Sequence, residues 1–89
     1  MSDWLAPYVG KTVIVDLDEY FLVIGILAAA DADHLEFVEA DLHDHREANS
    51  TKDVYAIESL KIGVRANRTK VAVPRHRLVA ISLLEDQCL

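Results

Sequence analysis

The chain has 89 residues and a formal net charge of −6, with 52% hydrophobic and 27% charged residues. That describes one folded domain rather than a disordered segment. No apolar run reaches the ~18 residues of a membrane-crossing helix, and no basic, then apolar leader opens the chain, so a cytoplasmic protein without a membrane partner is expected.

Ser2 or Asp3 can cap a short helix that begins at Trp4 and ends at Gly10. Lys11 to Leu17 alternates, with Val13, Val15 and Leu17 on one side and Thr12, Ile14 and Asp16 on the other. Such alternation marks a half-buried strand. Tyr20 to Ala30 reads as a long strand with Gly25 inside it. An interior glycine marks a bend or a close backbone approach, which a small barrel needs.

Asp31-Ala32-Asp33 is a turn, and Leu35 to Ala40 a third strand. Asp41 to Asp53 is polar, without an apolar period, and reads as an exposed loop. Val54 to Ile62 suits a helix capped by Asp53 and stopped by Gly63, although Tyr55, Ile57 and Ser59 also suit a strand. The helix is the slightly better fit. Lys70 to Val73 is a strand with Val71 and Val73 inward, and Pro74 to Arg77 a tight basic turn. In the last strand, Leu78 to Leu84, Val79 and Ile81 face one way and Leu78, Ala80 and Ser82 the other. About five short strands in one small domain favour an SH3-like or OB-like barrel.

The charge is unevenly spread. Residues 59–84 hold no acid but carry Lys61, Arg65, Arg68, Lys70, Arg75 and Arg77. This asymmetry points to one basic surface on an acidic body; the plain alternative is solvated strands and loops. Asp41, His43, Asp44 and His45 supply metal-ligand chemistry, but flexible loop histidines are more often simply solvated. No cofactor motif and no nucleophile beside a base is found, so catalysis is not expected. Cys88 is the only cysteine, which excludes an internal disulfide.

Two stretches carry a resemblance. Gly10-Lys11, Val13, Val15, Leu17, Gly25, Leu27 and Asp31 form the first; Val71, Val73, Pro74, Arg75, His76, Arg77, Leu78, Val79 and Ile81 form the second. Together they resemble the two motifs of the Sm-like (LSm) family, in a divergent bacterial or phage-type branch. The resemblance covers about two-thirds of the chain. It implies a mainly β fold: a small, five-stranded, strongly bent Sm-like barrel with a short N-terminal helix, spanning residues 1–89, with residues 42–68 as an extended loop between the motif halves.

It also implies a homo-oligomeric ring of five to seven subunits that binds single-stranded RNA. The site residues it implies are Asp31, which orients its turn, His34, and the Arg75-His76-Arg77 turn. His34 stands where the family carries an asparagine that reads a base edge, and Pro74-Arg75 where it often has an arginine-glycine pair. A rival expectation is a structural or protein-interaction ring that has lost RNA contact. The acidic net charge and the missing asparagine favour it.

Overall fold

Five strands form one antiparallel sheet in the computed structural model, which describes residues 3–18, 20–44, 46 and 52–88. They are β1 (Thr12–Leu17), β2 (Phe21–Ala30), β3 (His34–Asp44), β4 (Arg68–Pro74) and β5 (Leu78–Leu83), in the spatial order β4-β3-β2-β1-β5. Helix α1 (Lys52–Ile62) lies between β3 and β4 in the chain. No described pairing joins β4 to β5, so the sheet is not closed and each keeps one unpaired edge. No described helix is long and apolar enough to cross a membrane.

Both faces of the sheet are buried along β1 and the first half of β2. Val13, Val15 and Leu17 of β1 join Val23, Leu27, Leu35, Phe37, Ala40 and Val73 on the inner face, with Leu5 from the N-terminal segment. Ile14, Leu22 and Ile24 point to the outer face, where they pack with Ala56 of α1 and with Leu84. The alternation of β1 therefore sorts residues between two cores rather than between core and water.

Gly25 is the close approach that the sequence implies. A β-carbon there would lie 2.8 Å from the Ala40 Cα and 3.2 Å from the Val38 carbonyl oxygen. Opposite it, Ile24 pairs with Asp41 but Ile26 pairs with Val38, leaving Glu39 and Ala40 to face one residue. This is a bulge, which kinks the ladder and sharpens its twist. Glu39 takes the left-handed conformation the bulge requires, at φ 48°.

Several expectations need correction. The N-terminal helix is only a 3-10 turn, Ala6–Tyr8. Trp4 and Val9 are exposed and Leu5 alone is fully buried, so no apolar face holds a longer helix together. Asp3 is not its cap: the cap residue is Leu5, without a side-chain cap bond, and the Asp3 carboxylate accepts the Leu5 N–H at 3.0 Å just ahead of the turn; Ser2 lies outside the described residues.

The polar stretch after Ala40 is not wholly a loop. Asp41 to Asp44 continues β3, pairing with Ile24 to Phe21. The expected extended loop of 42–68 thus gives its first residues to β3 and its middle to α1. The helical reading of Val54 to Ile62 holds, but α1 starts at Lys52, so Asp53 lies inside the helix rather than at its cap position.

The facing of β5 also differs. Asp16 pairs with Ala80 and Leu17 with Leu78, so Val79 is an extra residue in the ladder. The parity flips there. Leu78 and Ile81 pack on the inner core while Val79 is 67% exposed.

Candidate functional site

The β2–β3 and β4–β5 turns meet at one end of the sheet. Asp31 builds the first from its own side chain: its Oδ1 accepts the Asp33 N–H at 2.8 Å and the His34 N–H at 2.7 Å. These two bonds, Asp33 first, lower the Asp31 pKa below the ordinary carboxylate value. The second turn is a single 3-10 turn, Arg75–Arg77.

Three links join the turns. His34 pairs with Pro74 across the β3–β4 ladder. The Arg75 backbone N–H donates to the Asp33 carbonyl at 2.8 Å, and an Arg75 Nη1 donates to the Asp31 carbonyl at 2.8 Å. Asp31, His34 and Arg75 are therefore brought together.

Arg75 has a further partner that local sequence did not reveal. Its Nη1 and Nη2 donate to the two carboxylate oxygens of Asp3, at 2.6 and 2.8 Å. This bidentate pairing matches a guanidinium fork to a planar carboxylate. It holds the Asp3 pKa down to about 2, with the Arg75 bond as the largest cause and the Leu5 N–H next. The same pair raises the Arg75 pKa.

His34 and His76 are exposed. The His34 Nδ1 lies 3.8 Å from Asp31 Oδ1, and its ring borders a depression of about 360 Å³ that Asp31, Glu36 and Ala72 also line. Arg77 is not part of this group. It forms an ion pair with Asp18 in the β1–β2 turn, whose N–H donates to the Arg77 carbonyl.

The basic run is exposed but partly neutralised. Lys70 lies 3.1 Å from Glu36 and Arg65 lies 3.7 Å from Glu58. Lys61 and Arg68 face solvent.

At the end of β3, Asp41 and His43 are engaged with α1 and Asn67. Asp41 is buried, and accepts from the Tyr55 hydroxyl and, at 3.1 Å, from the Asn67 side-chain amide. His43 stacks on Tyr55 with ring centroids 4.0 Å apart. Burial, then the Asp41 bond, push the Tyr55 pKa up to about 12. Asp44 pairs with Arg46 at 2.7 Å. Among the described residues no group of three or more metal-ligating side chains gathers; His45 lies outside them.

No protein-family model matches the chain, and no curated protein matches it significantly.

Proposed function

We propose that this protein is a non-catalytic subunit of a homo-oligomeric ring of the Sm-like kind, built on an SH3-like barrel and binding single-stranded RNA at the Asp31 and Arg75 turns. The observation that carries the reading is the joining of those turns, through the Arg75 contacts to Asp33 and Asp31. Repeated around a ring, it gives a row of identical sites, each with an arginine for phosphate and an exposed histidine, His34, for a base.

Assembly is supported by the edges. β4 and β5 are the outer strands of the order, and unpaired edges invite pairing with another chain. A β4 edge joined to the β5 edge of the next copy makes a heterologous contact that can close into a ring.

A second reading is an interaction ring without RNA. The ion pair of Arg77 with Asp18 and the acids Asp31 and Glu36 beside His34 favour it, because they leave little net positive charge at the turns.

Two measurements test the reading. Light scattering at micromolar concentration should show a closed oligomer; a stable monomer sinks the ring. Titration with short uridine-rich and adenine-rich RNAs should show binding that weakens as salt rises. An oligomer that binds neither RNA at low salt leaves the interaction ring.

A further inference from the structure

The Asp3–Arg75 pair has a geometry that a phosphate would also adopt. Two carboxylate oxygens meet two nitrogens of the guanidinium at 2.6 and 2.8 Å, and two terminal phosphate oxygens fit the same fork. The third contact, to the Asp31 carbonyl, does not use those oxygens and keeps the guanidinium in place when they leave. We propose that Asp3 is a built-in competitor for Arg75: it fills the phosphate position of the turn site, and a phosphate-bearing ligand binds there by displacing it.

The N-terminal segment is built to let this happen. Leu5 is fully buried in the inner core, whereas its neighbour Trp4 is 59% exposed. The chain is thus anchored at Leu5, and Asp3 stands two residues outside the anchor. Swinging the Asp3 side chain away costs its bonds to Arg75 and to the Leu5 N–H, and leaves the core untouched. Mild acid does not release it, because the carboxylate stays ionised down to a pH of about 2. A competing anion does.

Competition by an attached group lowers apparent affinity by the fraction of time the fork stands free. This inference rests on the RNA reading for the identity of the ligand but not for the existence of the gate, so two probes are needed. One is a uridine-rich single-stranded RNA. The other is inorganic tripolyphosphate, which has phosphate and no base. Binding of each is followed for the parent, for Asp3→Asn, which keeps an oxygen for the Leu5 N–H but loses the charge, and for Asp3→Asn combined with Arg75→Ala.

Asp3→Asn should bind both probes about tenfold tighter, as loss of a charge-assisted competitor implies. The double variant should lose both gains. In the parent, saturating tripolyphosphate should shift the amide resonance of Leu5, whose acceptor is Asp3. This last readout needs no variant, so it decides the matter even if Asp3→Asn folds poorly.

A tenfold gain for tripolyphosphate with no RNA binding by either protein sinks the RNA reading and leaves the gate standing. Equal RNA binding by parent and Asp3→Asn, with an unmoved Leu5 resonance at saturating tripolyphosphate, overturns the gate and shows Asp3 to be a structural tie only.

Discussion

The Tyr55 hydroxyl donates to the buried Asp41 carboxylate, and this bond fastens α1 to the end of β3. Asn67 completes the tie. Its side-chain oxygen accepts the Leu42 N–H at 3.0 Å, while its amide nitrogen donates to the Leu42 carbonyl at 3.0 Å and to Asp41.

The tie gives stability an alkaline limit. Folding raises the Tyr55 pKa from 10.0 to about 12, so the folded chain keeps a proton that the unfolded chain releases. The contribution is complete below pH 10 and is lost as pH rises through about 12. Tyr55→Phe should lower the melting temperature at neutral pH, with a cost of about 1–3 kcal/mol for a bond to a charged acceptor. Its melting temperature should also fall less steeply than the parent's between pH 10 and 12. Parallel pH profiles would place the alkaline limit elsewhere.

Gly25 should tolerate no side chain. The nearest atoms to an added β-carbon are the Ala40 α-carbon at 2.8 Å and its β-carbon at 2.9 Å, with the Val38 oxygen at 3.2 Å. The backbone atoms among them cannot rotate aside. Gly25→Val is expected to destabilise by at least about 2 kcal/mol, measured by urea unfolding. Ala40→Gly in the same chain should restore only part of Gly25→Ala, because it removes the methyl group at 2.9 Å and leaves the backbone of residue 40 at 2.8 Å. Full restoration would show that side chain, not backbone, sets the limit.

Glu39 sits at φ 48° on an exposed bulge. A left-handed non-glycine residue there costs on the order of 1 kcal/mol or more. Glu39→Gly should therefore melt no lower than the parent. Glu39→Val, whose branched side chain tolerates this region worst, should melt several degrees lower. A loss of stability on the glycine change would mean that the Glu39 side chain contributes more than its strain costs.

Asp3 contributes on the acid side. Its folded pKa of about 2 lies below the ordinary 3.8, so its contribution is present above pH 3.8 and disappears as pH falls through about 2. Asp3→Asn should flatten this limb in acid-unfolding curves. The remaining slope should include Asp31, whose pKa is also lowered. An unchanged curve would show that Asp3 contributes nothing to folding.

The legible parts of the fold were those in which neighbours along the chain carry the information. The β1 alternation, the Asp31 turn and the Gly25 approach are such cases. The facing of β5 was misread because a bulge at Val79 is set by its pairing with β1, not by β5 itself. Asp41 looked like a loop residue because a buried carboxylate is legible only with its partners, and Tyr55 and Asn67 lie 14 and 26 residues away. For Arg75, the turn is legible locally but the side chain's partner is not, since Asp3 lies 72 residues distant.

The two cores on opposite faces of one sheet divide the molecule's resistance to opening. The outer layer consists of a small cluster, Ile14, Leu22, Ile24, Ala56 and Leu84, with the Tyr55 tie and the contact of Lys52 to Asp16 at 3.3 Å. The inner one holds twice as many buried residues. Detachment of α1 removes Ala56, the Tyr55 tie and the Lys52 contact from the outer layer and nothing from the inner core. Native-state hydrogen exchange should then reveal two tiers, with α1 amides opening through a sub-global step and the amides of β1 to β3 only through global unfolding.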